Sequence, residues 1–178
     1  MSRSVVPIET PKSSLLDRYN RAGGYTDCYM TSLEVSISHS EFIEAFYTSW
    51  LFKIERFILK WLVNKPSSDI DANQLATGNL DKFAAWTVED RAENQLLLCD
   101  YQSKTRSFLM VKPLTDSLTE LYFGSAVVAT KASEKGDPTS SFFFRSLSGF
   151  HKLYSVALLS VAKKRLLNTK TESIKSGP

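Results

Sequence analysis

Acid–base chemistry needs a titratable side chain in a pocket with its pKa moved toward neutrality, and the chain has two histidines to supply an imidazole. His151 is the stronger candidate, because it follows Phe150 in an apolar helical stripe that also carries Tyr154. The plainer reading makes it a solvated or hydrogen-bonded histidine at the edge of that stripe. His39 stands where a helix begins, and a surface role suffices for it. Asp100 and Arg106 flank a short turn between two strand-like runs. Across a hairpin they make an ordinary cross-strand ion pair; turned inward, Arg106 can grip a ligand carboxylate through paired hydrogen bonds. Tyr29, Trp86, Tyr101 and Tyr122 lie on different strand-like runs and can line an apolar pocket offering a few hydroxyl and indole donors. With 11 Phe, 7 Tyr and 3 Trp in the chain, the competing reading is that aromatic rings fill that space as core.

Other chemistries find little support. Cys28 and Cys99 lie in separate strand-like runs, without the close spacing of a zinc site or redox pair, so buried, inert thiols are expected and no metal or cofactor is implied. Gly23-Gly24 precedes a strand rather than a helix, which argues against a phosphate-binding loop. The net charge is +3 and the basic residues are scattered, so nucleic acid is not an expected partner. The densest basic run, Lys163-Lys164-Arg165, suits the negative end of a helix dipole. The most apolar stretch, Phe42 to Val63, is broken by five charged residues and fits a core-facing helix better than a bilayer. Without an apolar leader at the N-terminus, the expectation is a cytoplasmic protein with reduced thiols.

The elements that must position these residues are legible from periodicity. At 178 residues with 43% hydrophobic content, one domain with one core is expected. Residues 1–22 read as a flexible polar arm in which Ser14 to Tyr19 can form a helical turn. Tyr25 to Ile37 alternates, its odd positions being Tyr25, Asp27, Tyr29, Thr31, Leu33, Val35 and Ile37, which predicts a strand with one buried face. Ser38-His39-Ser40-Glu41 has capping-box spacing, with Ile37 and Phe42 as a hydrophobic staple, and opens a long helix with Phe42, Phe46, Trp50, Ile54, Phe57, Ile58 and Trp61 at spacings of three and four. Pro66-Ser67-Ser68 starts a short helix that Gly78 ends. Four strands follow, at Phe83 to Glu89, Gln95 to Tyr101, Thr105 to Lys112 and Glu120 to Ala129, with short polar connections that predict an antiparallel meander. A loop over 131–140 leads to a helix from Ser141 to Leu167, and residues 168–178 read as a disordered tail. Phe142-Phe143-Phe144 exceeds what one helical stripe needs, and reads equally as a gate, a partner contact or a turn buried on several sides.

A strand, a helical pair, a meander and a long final helix, with Phe83-Ala84-Ala85-Trp86-Thr87-Val88-Glu89, Leu96-Leu97-Leu98, Arg106-Ser107-Phe108-Leu109 and Phe150-His151-Lys152-Leu153-Tyr154, resemble the helix-grip fold of the START/Bet v 1-like superfamily. Within it the chain is most similar to a bacterial family of uncharacterised domains, over about Tyr25 to Leu167. The resemblance implies an α+β domain over residues 23–167, in which a curved antiparallel sheet of five to seven strands packs against the C-terminal helix. It implies a cavity between them that often takes lipids, aromatic compounds or polyketides, and it carries over no catalytic set. The expected ligand-lining residues are Tyr29, Trp86, Tyr101, Arg106, Tyr122, Phe150, His151 and Tyr154. Three readings compete: a binder of a small apolar or aromatic ligand, a cofactor-independent cyclase or hydrolase using His151 or Arg106, and an interaction module, including a homodimer, that docks through the Phe142–Phe144 run or the first long helix.

Overall fold

The computed structural model describes residues 4–63, 66–128 and 138–175. In chain order the elements are β1 (Val6–Ile8), α1 (Asp17–Arg21), β2 (Tyr25–Leu33), α2 (His39–Tyr47), α3 (Trp50–Val63), α4 (Asp69–Thr77), β3 (Lys82–Phe83), β4 (Trp86–Ala92), β5 (Gln95–Asp100), β6 (Thr105–Thr115), β7 (Leu118–Val127) and α5 (Pro138–Lys175). The seven strands form one curved, open, antiparallel sheet in the order β1-β2-β7-β6-β5-β4-β3. The helices α2, α4 and α5 cover one face, which is the helix-grip layout expected from the sequence.

Alternation along each strand sorts the side chains. Leu33, Leu96, Leu98, Leu109, Val111, Leu121 and Phe123 point under the helices and meet Phe42, Phe46, Tyr47, Leu158, Leu159 and Ala162. The contact is largely aromatic: Phe46 lies 4.8 Å from Phe123 across the helix–sheet boundary, and Tyr47 packs edge-on against Phe52 at 4.8 Å. Such pairs add about 0.5–1.5 kcal/mol each beyond simple burial. On the opposite, outer face Cys28, Leu97, Phe108, Met110, Tyr122 and Ala126 form a second cluster around Leu16.

That second cluster revises the expected arm. Residues 4–22 supply an edge strand, pairing Val6 with Met30 and Ile8 with Cys28, and a short helix laid over the outer face. The first long helix is two helices. The Thr48 hydroxyl bonds back to the Glu44 carbonyl and the Ser49 hydroxyl accepts from the Phe52 amide, so one helix ends where the next is capped. The capping box of Ser38 and Glu41 forms as predicted, as does the left-handed Gly78 terminus of α4 (φ 80°). The predicted strand from Phe83 to Glu89 is interrupted by a two-residue turn at Ala84-Ala85, with Ala84 at φ 53°, which divides it between β3 and β4. Of the predicted loop, residues 131–137 lie outside the described residues. Residues 168–175 continue α5 rather than forming a tail, and Lys170 pairs with Glu41 at 2.6 Å, tying the extension to the start of α2. No helix among the described residues is long and apolar enough to cross a membrane.

Candidate functional site

The helix-facing side of the sheet is apolar at one end and polar at the other. The register sets out the rows. Leu96 pairs with Leu109, Leu109 with Phe123 and Phe123 with Tyr29, an almost wholly apolar line. One pleat further on, Leu98 pairs with Ser107, Ser107 with Ser125 and Ser125 with Asp27. This second line therefore places two hydroxyls and a carboxylate side by side on three central strands. Both serines are buried.

The groups are bonded to one another. One Asp27 carboxylate oxygen accepts from the Ser125 amide at 3.2 Å and from its hydroxyl at 2.6 Å, and the other accepts from the Tyr29 hydroxyl at 3.3 Å. Burial, then the Asp27 charge, pushes the Tyr29 hydroxyl well above the usual phenol range, and the same two causes raise Tyr25. Both phenols thus stay protonated, and that of Tyr29 serves as the donor to Asp27. From the helical layer, the Tyr47 hydroxyl lies 3.4 Å from Ser107 Oγ. Further along β2, Lys163 of α5 donates to Thr31 Oγ1 at 3.2 Å, and burial lowers its pKa. Trp86 begins β4 at the same polar end and packs half-buried against the helix-side core, and its indole N–H is buried without a hydrogen-bond partner. A buried donor left unpaired costs about 1–3 kcal/mol, so this N–H suits an acceptor brought in from outside. Chemically this end of the helix-facing side carries hydroxyl and indole donors and one carboxylate beside the aromatic core.

Of the eight expected lining residues, Tyr29, Trp86 and Tyr154 belong to the core on this face. Tyr122 points outward, and its hydroxyl donates to Glu120 at 2.6 Å. Tyr101 is in the turn after β5, half exposed, its hydroxyl accepting from Gln102 at 2.8 Å. Arg106 also faces outward, and it pairs with Glu89 rather than Asp100 while donating to the Tyr19 hydroxyl at 2.8 Å. Alternation along β6 sets Arg106 on the outer face with Phe108, and a bulge between Val88 and Asp90 brings Asp90 beside Glu89 on that face, where α1 supplies Arg18 and Tyr19 as their partners. Asp100 instead binds the turn amides of Lys104 at 2.7 Å and Thr105 at 2.9 Å. An enzyme built on Arg106 inside the cavity is therefore not the arrangement found. Phe150 and His151 belong to α5, but their side chains, like the Phe142–Phe144 run, lie outside the described residues.

Sequence reasoning passed over Asp27, Ser107, Ser125 and Tyr47. An acid at a buried position of an alternating strand was a visible signal for Asp27; the serines carried none. Cys28 is buried and its thiol is pushed up to about 12, chiefly by desolvation, which suits an inert core thiol. Among the described residues no group of three or more His, Cys, Asp or Glu is placed to hold a metal ion. Comparisons of the chain with protein-family models, with curated proteins and with solved structures find no match.

Proposed function

We propose that the chain binds a small, mostly apolar or aromatic molecule between the sheet and α5, with a polar end that carries a hydrogen-bond acceptor. The observation that supports this most directly is the unpaired, buried indole N–H of Trp86 at the end of the sheet that also carries Ser107, Ser125 and Asp27. The aromatic lining from α2 would take the apolar body of the ligand, while Trp86 and the serine hydroxyls orient its polar end. The resemblance to the START/Bet v 1-like superfamily points to the same region. Native mass spectrometry of protein purified from its own host tests the reading. The expected result is a stoichiometric small-molecule adduct that Trp86→Phe weakens about tenfold, the loss of one hydrogen bond. A bare polypeptide mass, or an adduct indifferent to both Trp86→Phe and Ser107→Ala, overturns it.

A further inference from the structure

The helix α3 shows two opposed faces. Phe52 is buried in the aromatic core, and Arg56 is fixed beneath the helix by the Ser67 hydroxyl at 3.0 Å, the Ser67 carbonyl at 2.6 Å and Asp69 at 2.7 Å. The other face presents Trp50, Ile54 and Phe57, which are 62%, 49% and 63% exposed. Spacings of four and three residues stack these three in one stripe over two turns. Ile70, 71% exposed, follows Asp69, whose carboxylate also binds Lys53 at 2.5 Å, so it borders the same surface. Large apolar side chains grouped in this way mark an interaction site.

We infer that this stripe is the contact face for a second copy of the chain, in a twofold pair of α3 helices. Symmetry favours it. Ile54 stands midway between Trp50 and Phe57, so a twofold axis through Ile54 sets Trp50 of each copy against Phe57 of the other, rings about 10 Å apart along each helix. Area favours it as well. The four exposed side chains offer roughly 500 Å² per chain, or about 1,000 Å² for the pair, where specific interfaces begin. Among the described residues the charges around the stripe balance: Lys53 and Arg56 stand against Asp69 and Asp71. Between these groups two copies meet without like-charge repulsion.

Sedimentation equilibrium tests this. The wild-type chain is expected at twice its 20.1 kDa mass at micromolar concentration, and Trp50→Glu or Phe57→Glu is expected to weaken the pair at least 100-fold while leaving the far-ultraviolet spectrum unchanged. Ile54→Cys in a Cys99→Ser background is expected to give a covalent dimer on mild oxidation, because only a twofold axis at that residue brings the two thiols together. A wild-type monomer at about 100 µM overturns the inference, as does a dimer indifferent to both glutamate variants. A monomer that floats with phosphatidylcholine vesicles and loses this with Trp50→Glu also overturns it, assigning the stripe to a lipid surface.

Discussion

Gly124 lies at the centre of β7, where Leu16 from the N-terminal segment presses onto the sheet. A Cβ there would stand 2.7 Å from Leu16 Cδ2 and 2.9 Å from the Asp27 carbonyl. The leucine tip can move, but the carbonyl belongs to the β2–β7 ladder and cannot. Gly124→Ala is therefore expected to lose about 1–3 kcal/mol in urea unfolding, and adding Leu16→Ala should not restore it. His39 shows a different sensitivity. Burial holds its imidazole neutral, lowering the pKa to about 4, with the nearby Arg91 charge acting in the same direction and a hydrogen bond to the Leu109 backbone opposing both. Because the folded value lies below the unfolded value near 6.5, the stabilisation is complete above pH 6.5 and is lost as pH falls toward 4. The loss is on the order of 2 kcal/mol for this partly exposed group, and His39→Gln should flatten that part of the pH–stability curve. The site residues were only partly visible beforehand for a physical reason. Alternation tells which face a side chain takes, and it marked Tyr29 and Asp27 as inward. Ser107 and Ser125 become neighbours only through register, which joins strands distant in sequence.

At the scale of elements, local chemistry was legible wherever it was self-contained. The Ser38–Glu41 box and the Gly78 terminus each need only a few adjacent residues, and both form as their spacing predicts. The break at Thr48-Ser49 and the turn at Ala84-Ala85 escaped notice because neither holds the Gly, Pro or Asn that usually marks one. The bulge at Glu89 escaped for a related reason, since one extra residue in a strand leaves no compositional trace, yet it turns Asp90 to the outer face, where Arg18 pairs with it. Around that bulge, Glu89, Arg106 and Tyr19 clamp α1 to the outer face, with the Arg106 guanidinium 4.9 Å above the Tyr19 ring. Arg106→Ala strands the Glu89 carboxylate in a mostly buried position and should cost about 3 kcal/mol in denaturant unfolding. On the proposed function the same variant should keep its small-molecule adduct, because the clamp and the Ser107–Ser125–Asp27 row lie on opposite faces of the sheet.

For the molecule as a whole, the sheet is protected at both margins. One edge is β1, three residues long with Pro7 at its centre, and the other is β3, only two residues long. Short edges and an edge proline deter strand-to-strand growth, which leaves the helical surface as the place for association. The order of the strands also sets a timetable. From β3 to β7 each strand pairs with its neighbour in the chain, so every step closes a short loop. By contrast β2 reaches β7 across the whole helical segment, with Asp27 and Ser125 separated by 98 residues. Closing that long loop has the larger entropic cost and slows the step. A chain caught before β2 docks already carries Ser107, Ser125 and Trp86 in their meander, yet it lacks Asp27 and Tyr29 and the wall they form. On the proposed function, competence to hold a ligand arrives only with that long-range pairing, and a bound molecule would act as a brake on its loss.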